Sequence, residues 1–228
     1  MRGCFVTGTD TGVGKTVVAA ALVAALRARG GSVAAFKPVV TGVDEPPDRD
    51  WPHDHVLLAR AAGATPEQVS PFTFGPAVSP HLAGALAGRP LDPAELRAAF
   101  QAAAAPAEIV VAEGVGGLLV PLADDYLVRD FARDAGLPLV IAARPGLGTI
   151  NHTLLTIAAA RAAGLTVAGV AITPWPAAPS AIEADNRATI ARLGDVDVAT
   201  LPSLPRADVA LLAAAGATLP LDRWTGAA

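Results

Sequence analysis

The segment CFVTGTDTGVGKTVVAAALVAAL, from Cys4 to Leu26, constrains the fold more than any other part of the chain. It runs from a short apolar stretch through a glycine-rich turn into a long Ala/Val/Leu run, with Gly14, Lys15 and Thr16 at the junction. A strand that delivers such a turn to the start of a helix aims successive backbone N–H groups and the positive helix end at an anion. In that context Lys15 reaches the β- and γ-phosphates of a nucleotide and the Thr16 hydroxyl holds Mg²⁺. Residues Thr11, Gly12, Val13, Gly14, Lys15, Thr16 and Val17 are therefore the expected nucleotide-binding loop. The spacing departs from GxxxxGK[ST]: five residues separate Gly8 from Gly14, and Thr9 stands where the first glycine belongs.

The rest of the chain repeats the alternation. Strands are predicted at Cys4–Thr7, Ser32–Phe36, Glu108–Ala112, Leu137–Ala142, Val167–Ile172 and Val196–Leu201. Helices are predicted at Lys15–Arg29, Asp54–Ala62, Pro93–Ala104, Leu127–Ala135, Ile150–Ala163 and Ser180–Leu193, several stopping at a glycine (Gly30, Gly63, Gly136, Gly164, Gly194). This is the pattern of an α/β fold with a mainly parallel sheet and helices on both faces. Its ligands are expected at the carboxyl edge of the strands. Residues 1–228 read as a single P-loop domain. Between 38 and 93 the strand rhythm lapses into Pro, Gly, Asp and His, an elaborated active-site region with short helices. After Pro202 a short helix, Asp208–Ala215, is expected to close the fold.

Composition sharpens the site. Of seventeen basic residues only Lys15 and Lys37 are lysine. A chain that uses Arg as its generic surface cation reserves Lys for a place that needs a compact point charge. The net charge of −4, without a basic stretch, argues against nucleic acid as a partner. One cysteine, Cys4, excludes an internal disulfide. The longest apolar run, Val17 to Leu26, is too short to cross a bilayer. The N-terminus meets a glycine before any apolar stretch, so no secretory signal and a cytoplasmic location are expected.

Other segments offer chemistry beside the loop. AFKPVVTG brings Lys37 to the carboxyl edge of its strand, where a cation stabilises a transferring phosphoryl group. Thr41 follows, either an ordinary loop residue or a substrate contact. Asp54 stands at a helix start, as an N-terminal cap or as a ligand. His53 and His55 beside it do not make a metal site. EIVVAEGVGG ends a buried strand on Glu113, a Mg²⁺ ligand candidate. The glycines beyond it let the Gly114–Val115–Gly116 backbone approach a nucleotide. PGLGTINHT repeats the strand–glycine–helix device without a lysine, so Gly148, Thr149, Ile150 and Asn151 can bind an anionic group. Asn151 is one of two asparagines in the chain, and a plain helix cap is its other reading.

No guanine-type NKxD signature occurs. Asp10 stands where the partitioning and septum-site ATPases carry their extra lysine. GTDTGVGKT, AFKPVVTG, SPHLA, VVAEGVGGLLVPL and GLGTINHTLLT, in this order, resemble the dethiobiotin synthetases. The resemblance implies ATP- and Mg²⁺-dependent carboxylation and ring closure of 7,8-diaminononanoate with CO₂ (bicarbonate) in biotin biosynthesis. It implies Lys15 and Lys37 as catalytic residues and Thr16, Asp54 and Glu113 around Mg²⁺, with Asp54 and Glu113 also at the nucleotide. It further implies that Thr41 contacts the diamine and that Gly148–Asn151 of the neighbouring subunit of a homodimer receive its carboxylate. Thr173, Leu201, Pro202 and Ser203 are expected at the base. One departure stands out: Thr173-Pro174 replaces the Asn-Asp common in the family, and a hydroxyl cannot pair bidentately with adenine. A P-loop amidoligase or a nucleotide-switch ATPase is the alternative.

Overall fold

The computed structural model describes residues 1–226. In chain order its first half contains β1 (Arg2–Gly8), α1 (Lys15–Ala28), β2 (Val33–Phe36), β3 (Val40–Thr41), α2 (Asp54–Ala62), α3 (Pro66–Val69), β4 (Thr73–Phe74), α4 (Pro80–Leu86) and α5 (Pro93–Ala104). Next come β5 (Ile109–Glu113), β6 (Pro121–Ala123), β7 (Tyr126–Leu127), α6 (Val128–Ala135), β8 (Leu139–Ala143) and α7 (Thr149–Ala162). The chain continues through β9 (Val167–Trp175), α8 (Ala181–Gly194), β10 (Val198–Pro202), α9 (Val209–Gly216) and α10 (Leu221–Thr225).

Six strands form one parallel sheet in the order β10-β9-β8-β1-β5-β2. β1 is central, with Phe5 opposite Ala112 on one side and Leu139 on the other. From β1 the chain crosses toward the β2 edge, and from β8 toward the β10 edge. The β1/β8 boundary is thus the topological switch point where ligands bind in such sheets.

Covered on both faces, the inner strands β5 and β8 are buried at every position and apolar except at Glu113, which ends β5. Alternation still sorts side chains: Cys4 and Val6 pack with α1 and α2, while Phe5 packs with Phe36, Phe100 and Phe131 on the other face. Helix α1 is buried along its length between the sheet and α9, which is why it is apolar all round.

The structure departs from expectation at several places, including the β6–β7 antiparallel pair and α10. Gly194 is the last residue of α8 and not its stop; Asp195 takes the left-handed turn at φ 43°. A Cβ at Gly194 would come within 2.9 Å of Ile157, so this glycine serves close packing on α7. The 38–93 region holds a two-stranded parallel pair, β3 and β4, that its sequence does not announce.

Candidate active site

The loop after β1 turns back into α1 through Gly14, the N-cap, whose φ of 92° is left-handed. A Cβ there would lie 2.6 Å from the Thr173 methyl, so both conformation and space demand glycine. The first turn of α1 carries no acidic residue, which leaves its positive end for an external anion. Lys15 is the first helical residue and is buried, its Nζ donating to the Asp10 carbonyl at 2.8 Å. Burial, with Lys37 as a neighbouring like charge, lowers its pKa to about 8.

Lys37 follows β2 and is 2% exposed. Its Nζ donates to Glu113 Oε1 at 2.5 Å, to the Gly114 carbonyl at 3.3 Å, and pairs with Asp54 Oδ2 at 3.0 Å. Burial alone would push the ammonium down, but Asp54 and Glu113 outweigh it and raise its pKa, so it stays charged. Glu113 closes β5, is fully buried, and also accepts the Thr16 hydroxyl at 2.8 Å. Burial raises its pKa against the pull of Lys37. Its Oε2 has no hydrogen-bond partner.

Asp54 is not a cap. His53 holds the N-cap position of α2, and Asp54 is the first helical residue, turning its half-exposed carboxylate to Lys37. Burial opposes its ionisation, yet the ammonium prevails and lowers its pKa.

Lys15, Thr16, Lys37 and Asp54 border a cavity of about 640 Å³, with Glu113 buried behind them on Lys37 and Thr16. Thr11, Gly12, Gly14, Lys15, Thr16 and Val17 line one part, Lys37, Thr41 and Asp54 another, and Val115 and Gly116 a third. The structure therefore gathers the phosphate loop, both lysines, the three candidate metal ligands and Thr41. It does not bring every expected residue there. Val13 is buried beneath the loop, and Gly114 takes part through its carbonyl to Lys37. Thr173 lies behind Gly14. The Leu201 side chain is in the core, so only main chain and the exposed Pro202 and Ser203 remain for a base in that stretch. Gly148, Thr149, Ile150 and Asn151 start α7 outside the cavity. Gly148 is its left-handed N-cap, Thr149 is buried against Thr153, and Asn151 is exposed.

Sequence reasoning misses several contributors to the cavity wall and the loop. Trp51 and Pro52 line the cavity with Val40, Val78 and Val120, making one side apolar. Arg144 donates to the Thr11 carbonyl at 2.9 Å. A tryptophan inside a Pro/Asp/His-rich stretch was the available signal for the first. Arg144 had none, being one of fifteen arginines.

Glu113, whose Oε1 accepts the Thr16 hydroxyl and whose buried Oε2 has no donor, fits a hard cation, and Asp54 offers a second carboxylate. Mg²⁺ takes few protein oxygens and keeps its waters, which suits two carboxylates and a hydroxyl. Among the described residues no group of three or more His, Cys, Asp or Glu stands where it could hold a metal ion. No helix of the described residues is long and apolar enough to cross a membrane.

Residues 2–209 match a family described as an AAA domain. The chain is 42% identical over 171 residues to the ATP-dependent dethiobiotin synthetase BioD of Aromatoleum aromaticum, covering 74% of this chain and 76% of that one. Against the same enzyme from Anaeromyxobacter dehalogenans strain 2CP-1 it is 44% identical, covering 85% and 86%. Against that of Bacillus subtilis strain 168 it is 38% identical, covering 87% and 85%. Among solved structures, a ParA family ATPase from Chlorobium tepidum superposes with a TM-score of 0.53 at 12% identity, covering 95% of this chain and 91% of that one. That likeness is one of fold.

Proposed function

This chain belongs to the ATP-dependent dethiobiotin synthetase family, and we propose that its cavity carries out the ring closure in three steps on 7,8-diaminononanoate. One amine adds to CO₂ and loses a proton, giving a carbamate. A carbamate oxygen attacks the γ-phosphorus of ATP and ADP leaves. The second amine attacks the carbonyl of the mixed anhydride, and phosphate departs as the ring closes.

The observation that carries this reading is Lys37, a buried ammonium held by Glu113 and Asp54 in the same cavity as the P-loop lysine. Phosphoryl transfer asks a protein mainly for positioning and for charge where charge develops, and two ammonium groups supply both. Lys15 and the loop amides bind the phosphates; Lys37 faces the attacking oxygen. Thr16, Asp54 and Glu113 would hold Mg²⁺, which neutralises charge on the phosphate oxygens when bound. Thr41 and the apolar wall at Trp51 and Val78 suit an amine and its alkyl chain.

The diamine's carboxylate is assigned to Gly148–Asn151 of a second subunit. Leu147, 97% exposed, and Leu155, 60% exposed, flank that helix start and suit burial in a homodimer. The enzyme works in the cytoplasm on this reading. Phosphate release measured with ATP, Mg²⁺ and bicarbonate, with and without the diamine, tests the whole. Release that needs the diamine is expected. An equal rate without it would make the chain a nucleotide-switch ATPase.

A further inference from the structure

We propose that Arg144 is a positioning residue for the phosphate loop, set in place by Asn186. The claim rests on the ATP reading of the cavity and adds a residue to it. Arg144 follows β8 directly and its guanidinium crosses the switch point to donate to the Thr11 carbonyl at 2.9 Å. A peptide unit is planar and trans, so its C=O and the next N–H point in opposite directions. Fixing the Thr11 carbonyl on Arg144 therefore turns the Gly12 N–H away from Arg144. Gly12 lines the cavity and, at φ 68°, has a backbone that needs such a brace. Without a Cβ it is also among the freest residues in the loop.

Lys15 braces the preceding peptide unit in the same manner, through the Asp10 carbonyl at 2.8 Å. On the ATP reading Lys15 must also share its donors with the phosphates, so that brace competes with the ligand. Arg144 has no such conflict, because it approaches the loop from β8 and does not line the cavity. Its donors are therefore free to stay on the Thr11 carbonyl while the loop is loaded.

The segment bearing Arg144 is itself fixed from behind. Asn186 of α8 is 5% exposed and its Nδ2 donates to the Pro145 carbonyl at 2.9 Å and the Gly146 carbonyl at 3.3 Å. A buried amide spent on two consecutive carbonyls holds the loop at a defined height above the sheet. Asn186 thus acts through Arg144, touching neither the phosphate loop nor the cavity.

The test is ATP affinity by calorimetry and steady-state KM values for Arg144→Ala, Arg144→Lys, Asn186→Ala and the double alanine variant, with melting temperatures alongside. Loss of one hydrogen bond of ordinary strength predicts about a fivefold weaker ATP Kd in Arg144→Ala. Arg144→Lys, which keeps a donor, should recover part of it. The KM for the diamine should move by less than about twofold, since its groups lie elsewhere on this reading. Because Asn186 acts through the arginine, the double variant should be no worse for ATP than Arg144→Ala alone. An unchanged Kd in Arg144→Ala, with tight binding by the parent chain, would refute the role of Arg144 alone. A parent chain that binds no ATP would sink the reading of the cavity as well. Parallel losses in melting temperature and in both KM values would make Arg144 a general structural contact and overturn the proposal. Additive losses in the double variant would remove Asn186 from it.

Discussion

The chain builds the same backbone device twice. Helices α1 and α7 are both 14 residues long, and each follows a parallel strand and a left-handed glycine N-cap, Gly14 at φ 92° and Gly148 at φ 90°. Neither cap has a side-chain hydrogen bond and neither first turn carries an acid, so each helix offers an uncompensated positive end. The difference lies in what converges. Around α1, side chains arrive from β2, α2 and β5, and Lys37, Asp54, Glu113 and Thr16 form one bonded cluster. Around α7 no such cluster forms, and Leu147, Asn151, His152 and Leu155 stand exposed. A glycine-capped helix end is enough to hold an anion, and chemistry needs groups brought in from distant segments. On the reading proposed above, the other half of the α7 end is supplied by a second copy.

The sharpest way to break this contrast is at Lys37. Three oxygens surround its Nζ within 3.3 Å in a site that is 2% exposed. A planar guanidinium keeps the charge but not the shape. Lys37→Arg is expected to lower kcat by about a hundredfold or more, the scale of losing one transition-state charge contact. Turnover within a few-fold of the parent would show that the converging cations are not what separates the two loops.

The glycines test the device itself. Gly14→Ala meets both an unfavourable φ and the Thr173 methyl at 2.6 Å, whereas Gly148→Ala meets the φ alone, its nearest neighbour being His152 at 3.9 Å. We expect Gly14→Ala to weaken ATP binding about a hundredfold, and Gly148→Ala to cost about 1 kcal/mol of stability with ATP binding intact. Equal effects on ATP would erase the distinction drawn between the loops.

How much of this was legible follows the same division. Strands β1, β5 and β8 announce themselves as continuous apolar runs, and α5 by Asp92 and Pro93 at its start. Lysine scarcity exposed Lys15 and Lys37, and a carboxylate at a strand end exposed Glu113. The β3–β4 pair has two residues per strand, too few for any period to register. Trp51 and Arg144 act through contacts that only the folded chain creates; Arg144 and Thr11 are 133 residues apart. Asp54 was open between capping and binding until His53 was found at the cap.

A smaller effect is expected at the second helix end. Asn151→Ala should raise the KM for the diamine about five- to tenfold, the loss of one hydrogen bond to a charged group, while the KM for ATP stays within about twofold. Sedimentation should show a dimer, and a fully active monomer would leave the α7 end without its other half. Equal changes in both KM values would place Asn151 in general support of the fold.

The mildest test uses protons. Lys15 is lowered from an ordinary 10.5 to about 8 by burial and by Lys37. Phosphates favour its charged form, so ATP binding raises that pKa and takes up a proton wherever free Lys15 is neutral. ATP affinity should therefore weaken by about fourfold from pH 7 to pH 8.5, with uptake of about three-quarters of a proton at the higher pH in calorimetry across buffers. The stability contribution runs the other way. The unfolded chain keeps this proton up to 10.5, so between about 8 and 10.5 deprotonation in the fold adds stability as pH rises. Asn151 has no proton to lose, and the ratio of diamine KM values between Asn151→Ala and the parent should stay flat over the same range. An ATP affinity equally flat to pH 9 would mean that Lys15 keeps its proton, and that burial does not set the first loop apart from the second in the way its surroundings imply.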